Sequence, residues 1–165
     1  METTGPWFFW AFPVAFALHN IEEAIWMPRF SRSAGRYQAP VGAFEFIFAV
    51  TILTLLAIVI TVFLFRGGKE SISSYLFFAF NAGMLLNVLF PHAVATVALR
   101  KYCPGLLTGV LVLAPTTLSL LVYGFSNGYV HSPTFWLIAI PFAALVVVSI
   151  PLLFKVGRAV KGLVW

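Results

Sequence analysis

The chain has 165 residues, of which 61% are hydrophobic and only 9% are charged, and its formal net charge is +5. Because soluble domains carry about 25% charged residues, this composition excludes an ordinary soluble globular protein. The basic residues form no dense run, so we also expect no nucleic-acid partner.

Five apolar runs are each long enough to cross a bilayer, which takes about 20 residues of helix. They predict an all-α fold, a polytopic bundle of five transmembrane helices that forms a single domain over residues 1–165. The predicted spans lie at about 6–27, 43–65, 72–98, 105–125 and 134–154. No basic segment precedes the first run, so we expect that run to be retained as a helix and not removed as a signal peptide.

The basic residues are unevenly distributed between the loops. If successive loops alternate sides, Arg66 and Lys69 lie on one side with Glu2 and Glu70. The other side carries eight of the ten basic residues, namely Arg29, Arg32, Arg36, Arg100, Lys101, Lys155, Arg158 and Lys161. Because cytoplasmic loops are rich in Lys and Arg, we expect the N-terminus outside and the C-terminus in the cytoplasm (N-out/C-in). Membrane lipid is then the expected partner of the basic segments.

The first predicted span carries three ionisable residues in its second half. His19, Glu22 and Glu23 are spaced i, i+3 and i+4, so they share one helical face. Each ionisable group at membrane depth costs roughly 2.5–3.5 kcal/mol. The predicted spans hold no Lys or Arg to pair with them, which leaves a metal ion, a proton or a water-filled cavity as the compensation.

The other polar residues of the spans fall at the same depth. At 1.5 Å per residue, His19 lies about 12 Å and His92 about 10 Å from the cytoplasmic ends of spans one and three. Both spans run in the same direction, so the two histidines are expected to meet. Further polar residues are expected to border this site: Glu45, Asn87, Tyr102 and Thr108.

Span three also carries small residues at helical spacing. Ala79, Gly83 and Asn87 share one face, which predicts a close contact with another helix and directs Asn87 into the bundle. Pro91 frees the carbonyl of Asn87 from the helical hydrogen-bonding pattern. Cys103 is the only cysteine, which excludes an internal disulfide and indicates a small residue beside a loop.

Three motifs follow one another along the chain: 19-HNIEE-23, 87-NVLFPH-92 and 102-YCPG-105. Together they resemble the HXXEE family of small bacterial membrane proteins, over roughly residues 8–120. The resemblance implies a multi-pass protein of the bacterial cytoplasmic (inner) membrane, and it supplies no reaction. The polar site that it implies is built from His19, Glu22, Glu23, His92, Tyr102, Pro104 and Gly105.

The first hypothesis is a metal-dependent membrane hydrolase that acts on a lipid or a membrane-embedded substrate. His19 and Glu23 can reach one ion from adjacent turns, and His92 supplies a third ligand, with zinc as the expected ion. Glu22 is then free as a general base, or bridges a second ion with Glu45. The candidate catalytic residues are Glu22, Glu45, Asn87 and Tyr102.

Three alternatives stay open. A metal-free acid–base enzyme, isomerase-like, would move protons on a lipid or isoprenoid, with Trp10 and Trp26 shielding positive charge. This alternative resembles the emopamil-binding sterol isomerases in outline only. A small proton-coupled carrier would use the same residues as a relay, and a homo-oligomer would then form its pore. A buried polar network would fix the helix packing of a non-enzymatic membrane protein.

Overall fold

The computed structural model describes residues 7–35 and 39–164. A short 3-10 turn, Trp7–Trp10, leads into the first of five helices. They are α1 (Ala11–Ser31), α2 (Ala43–Gly67), α3 (Ile72–Leu99), α4 (Leu106–Ser126) and α5 (Ser132–Val164). The described part of the chain contains no strand, so the all-α prediction is confirmed. Glu2, Arg36 and the first residue of the first predicted span lie outside the described residues.

Four of these helices, α2 to α5, are long and apolar enough to cross a membrane. The remaining helix, α1, is less apolar because its middle is occupied by His19, Asn20, Glu22 and Glu23. Of the five predicted spans, four therefore correspond to helices that are long and apolar enough to cross a membrane. The last helix also continues to Val164, past the predicted end of its span at residue 154.

The helices form a ring in which each packs against two neighbours. The order is α1, α2, α5, α3, α4 and back to α1, and α2 also contacts α3 across the middle. α1 and α3 run in the same direction, since Phe12 meets Phe77 near the starts of both helices, and His19 and His92, which follow these two residues in the sequence, meet further along.

An aromatic core fills the half of the bundle where α1 and α3 begin. Phe12 packs edge-on against Phe77, with ring centroids 5.5 Å apart, and against Phe80 at 5.3 Å. Phe9 adds a fourth ring, and all four side chains are fully buried. This packing leaves the other half of the bundle, where α1 and α3 end, to hold the polar residues.

Two helices widen where they pass the polar half. α3 is π-helical over Val88–Ala93, where Phe90 leaves the helical conformation next to Pro91, and α4 is π-helical over Gly109–Leu113. Proline cannot donate the backbone hydrogen bond of a regular helix, which accounts for the widening in α3. Such segments occur frequently at functional sites because they re-aim the side chains that follow.

Candidate metal centre

Three side chains from two helices converge in the polar half of the bundle. His92 Nε2 lies 3.2 Å from Glu23 Oε1, and His19 Nε2 lies 3.9 Å from Glu23 Oε2. One donor atom from each residue lies within 4.8 Å of the others, a spacing at which one metal ion can be held. Both histidines are 1% exposed. The structure thus brings together the three residues that the sequence predicts as ligands.

His19 is backed by a chain of hydrogen bonds on the side away from Glu23. Its Nδ1 lies 3.4 Å from the hydroxyl of Thr108, and this hydroxyl donates to Glu22 Oε2 at 2.5 Å. Because the hydroxyl proton goes to the carboxylate, the hydroxyl oxygen is free to accept from Nδ1. A histidine that donates from Nδ1 keeps the lone pair of Nε2 available for a metal.

His92 also has a partner at Nδ1. The sulfur of Cys103 lies 3.6 Å from this nitrogen, and the cysteine is buried. The thiol is on the opposite side of the ring from Glu23 and does not line the cavity in front of it. The sequence indicated only a small residue here, although its place inside 102-YCPG-105 ties it to the site.

Asn87 lies between the two histidines. Its Nδ2 is 3.1 Å from His92 Nε2 and 3.4 Å from His19 Nε2. In a regular α-helix, residues five apart point about 140° away from each other. The π-helical segment Val88–Ala93 removes most of this difference, so Asn87 and His92 face the same centre. Turned the other way, the same amide would offer its oxygen to a metal.

Glu22 faces away from this centre and caps the start of α4. Its carboxylate accepts hydrogen bonds from the N–H of Gly105 at 2.8 Å, from the N–H of Thr108 at 2.9 Å, from the Thr108 hydroxyl and from the Tyr102 hydroxyl. The first N–H groups of a helix lack helical acceptors and carry positive partial charge, so a carboxylate is stabilised there. Four donors occupy the oxygens that a general base would need.

Tyr102 is half-exposed in the connection between α3 and α4. Desolvation, together with its hydrogen bond to Glu22, raises the pKa of the Tyr102 phenol to about 12. The phenol therefore stays protonated and remains a donor. Of the residues predicted as catalytic, Tyr102 and Glu22 lie together behind the histidines, and Asn87 lies in front of them.

Gly105 allows the turn before α4 to approach the two histidines. Its φ of +90° lies in the left-handed region that favours glycine. A methyl group added to it would come within 2.7 Å of His92 Cε1 and 2.8 Å of His19 Cε1. The turn 102-YCPG-105 thus contacts Glu22, His92 and His19 at once.

Glu45 lies apart from this group. It is buried at the start of α2, with its carboxylate turned back toward Gly42. Within residues 7–35 and 39–164 it forms no hydrogen bond or ion pair with the centre, and its Oε2 has no partner. The sequence placed it at the right depth, but the start of α2 does not direct it to the histidines.

A cavity of about 140 Å³ opens in front of the histidines, between α1, α2, α3 and α5. His19, Glu23, Asn87 and His92 supply its polar wall, and the rest of its lining is apolar apart from Asn20. A water molecule occupies about 30 Å³ of liquid, so the space admits several waters or one small reacting group. Trp10 and Trp26, expected to shield positive charge, do not line it.

Comparison with known proteins connects this site to a family. Residues 10–120 match the family described as "Protein of unknown function with HXXEE motif". The "Uncharacterized protein YrkK" of Bacillus subtilis (strain 168) is 38% identical over 151 residues, which cover 91% of this chain and 95% of that protein. No solved structure matches the chain. The matched region contains every side chain of the centre described above.

Proposed function

The chain belongs to the HXXEE family, and we propose that it is a membrane hydrolase in which His19, Glu23 and His92 hold a divalent metal ion, with zinc expected. Two imidazoles and one carboxylate are a donor set of catalytic zinc sites, where a remaining position stays open for water or substrate. The single observation that carries the proposal is the arrangement of the histidines. Both direct Nε2 toward the Glu23 carboxylate while Nδ1 has an outer partner.

The residues around the centre would have different roles in hydrolysis. A metal held there would lower the pKa of a bound water to about 7 and polarise the bond to be cleaved. Glu23 faces the cavity, so one of its oxygens can hold the metal while the other accepts a proton. Asn87 can hydrogen-bond the reacting group from the cavity wall. Glu22, satisfied by four donors, would position His19 through Thr108 and leave proton transfer to Glu23.

The proposed setting is a bilayer, with a substrate dissolved in it. We place α1 across the membrane beside the four apolar helices, with the N-terminus outside, the C-terminus in the cytoplasm and the whole chain as one domain of the bacterial inner membrane. The distribution of basic residues between the loops supports this orientation. The apolar lining of the cavity supports a lipid or another membrane-embedded substrate.

A second candidate function needs no metal. His92 Nε2 and Glu23 Oε1 are 3.2 Å apart, a direct hydrogen-bonding distance that allows a proton to pass between them. Phe16, Phe46 and Phe154 line the same cavity and could shield positive charge on an isoprenoid. This pair supports an isomerase-like enzyme on the same class of substrate.

Elemental analysis of the detergent-purified protein, never exposed to chelator, separates the two candidates. We expect one metal ion per chain in the wild type and its loss in His19→Ala and His92→Ala. His131→Ala is the matched control, because His131 is 57% exposed and pairs with Glu70 in a connecting loop. Its metal content should equal that of the wild type. A wild type without metal would overturn the metal-dependent hydrolase and favour the acid–base pair.

A further inference from the structure

A second cavity lies beside the metal centre, between α3 and α5. Its volume is about 320 Å³, and we call it the lateral groove. It is lined by Ala79, Phe80, Gly83, Met84, Leu86, Asn87, Phe90, Phe142, Ala143, Val146, Val147 and Ile150. Asn87 is the only polar residue among the described residues of this lining. The rest of the groove therefore offers no hydrogen-bonding partner and accepts only apolar material.

The lateral groove and the cavity of the metal centre share a wall. Met84, Asn87, Val146 and Ile150 line both. Asn87 marks the inner end, because its amide nitrogen is 3.1 Å from His92 Nε2. A molecule lying in the groove with a polar group at this end would have that group beside the proposed metal ligands.

Small residues keep the lateral groove open. The face of α3 that carries Ala79 and Gly83 suggested a close helix contact, but a methyl group added to Gly83 would meet no atom within 4 Å. Ala143 of α5 lines the groove on the other side. Because Gly83 and Ala143 carry little or no side chain, room for a chain-like molecule remains between α3 and α5 at this point.

The lateral groove is larger than the cavity of the metal centre, as expected if the groove holds a lipid chain and the cavity holds the reacting group. Ligand pockets usually measure about 300–1,000 Å³, and of these two spaces the lateral groove, at about 320 Å³, reaches this range. The cavity of the metal centre, at about 140 Å³, suits the reacting group and water. Both α3 and α5 are apolar enough to cross a membrane, so the groove would open among acyl chains.

We propose that the lateral groove binds the hydrocarbon chain of a membrane lipid and thereby presents the lipid's polar end to the metal centre. The inference rests on the proposed function, for which it names the substrate class. Two observations support it: the groove is continuous with the cavity of the metal centre through Asn87, and the rest of its lining is apolar. The occupant that we propose is one acyl chain from the surrounding bilayer.

Photolabelling in vesicles tests this assignment. The protein is reconstituted in dioleoylphosphatidylcholine containing a small fraction of phosphatidylcholine with a diazirine on one acyl chain, illuminated, digested and mapped by mass spectrometry. We expect the segment Phe142–Val147 to be labelled more strongly than the exposed face of α2 at Ile52, Leu55 and Val59. Gly83→Leu places a side chain in the groove, and its Cβ would meet no atom within 4 Å. It should lower labelling there by about tenfold, as expected when two or more methylene groups lose their contacts.

Gly162→Leu is the matched control, since a methyl group added to Gly162 also meets no atom within 4 Å and this residue lies outside the groove. It should leave the labelling pattern unchanged. If Gly83→Leu fails to fold, Ala143→Leu fills the groove from the opposite wall and should give the same loss. Equal labelling of the groove and the α2 face would overturn the inference. A dimer cross-linked through the groove would also overturn the inference, if Gly83→Leu dissociates that dimer.

Metal content measured on the same samples separates this inference from the proposed function. Gly83→Leu should keep the metal of the wild type, because Gly83 does not line the metal cavity. A metal-bearing protein with an unlabelled groove would refute the acyl-chain site alone. A labelled groove in a protein that binds no metal would refute the metal-dependent hydrolase and leave the lipid site in place.

Discussion

Thr108 holds Glu22 through both its backbone and its side chain. Its N–H and its hydroxyl donate to the same carboxylate oxygen, at 2.9 and 2.5 Å, and the hydroxyl oxygen also lies 3.4 Å from His19 Nδ1. One threonine of α4 therefore links a carboxylate that faces away from the centre with a histidine that faces into it. The first turn of α4 thus sets the orientation of the functional face of α1.

Replacing Thr108 by valine should weaken metal binding while the fold is retained. Loss of a hydrogen-bonding partner behind a metal-binding histidine typically lowers metal affinity by about 10–100-fold. Thr108→Ser should restore most of this loss, because it keeps the hydroxyl. Competition with a zinc-binding dye in detergent measures the affinity. Thr117→Val is the control, since its buried hydroxyl donates only to carbonyls of its own helix, and an equal loss there would contradict this role of Thr108.

The two neighbouring glutamates should respond differently to replacement by glutamine. Glu22→Gln places an NH₂ group where an acceptor is needed, and each lost hydrogen bond to a charged group costs about 1.5–3 kcal/mol of the free energy of unfolding. Glu23→Gln removes a proposed ligand and should abolish metal binding with little effect on the stability of the metal-free protein. Thermal unfolding and metal content, measured on both variants, give the comparison. If Glu23→Gln keeps the metal and Glu22→Gln loses it, then Glu22 is the ligand and Glu23 is not.

Gly105→Ala should damage both stability and metal binding. The left-handed backbone costs an alanine about 1–2 kcal/mol. Contact of its methyl group with both histidine rings adds a further 1–3 kcal/mol, roughly, as overpacking does elsewhere. Gly128→Ala isolates the first effect, because Gly128 has a φ of +68° and open space around it. Chemical denaturation and dye competition of both variants test this, and equal effects would mean that the histidines tolerate the methyl group.

Cys103 should act through His92 and not as a nucleophile. Its sulfur, 3.6 Å from Nδ1, is a weak partner, so Cys103→Ala should lower metal affinity toward the smaller end of the about 10–100-fold range. Cys103→Ser should lower it less. A membrane-permeant maleimide should modify the buried thiol only after unfolding, as followed by mass spectrometry. Rapid alkylation of the native protein would contradict the enclosed position of this side chain.

The sequence was sufficient for the features that follow from regular helices. The i, i+4 spacing puts His19 and Glu23 on one face, and similar distances from the predicted ends of spans one and three indicated that His19 and His92 would meet. Asn87 was expected in the bundle, but its meeting with His92 depends on the π-helical segment, because a regular helix separates residues five apart by about 140°.

The roles of individual polar residues could not be read from spacing alone. Glu22 and Glu23 are adjacent, and nothing in their identities indicates which one caps another helix and which one faces the cavity. That depends on where α4 begins, and therefore on the turn that contains Cys103. The open face at Gly83 was likewise not evident from the sequence, since small residues at helical spacing usually indicate a close helix contact.

Helix α1 is synthesised before the helix that satisfies its glutamate. The donors to Glu22 come from Tyr102, Gly105 and Thr108, which follow it in the chain by 80, 83 and 86 residues. With α1 across the membrane as we propose, the carboxylate in hydrocarbon costs roughly 2.5–3.5 kcal/mol until these donors exist. We therefore expect the order of membrane insertion to differ from the order of translation, with the first helix made reaching its final position only after the fourth has entered the bilayer.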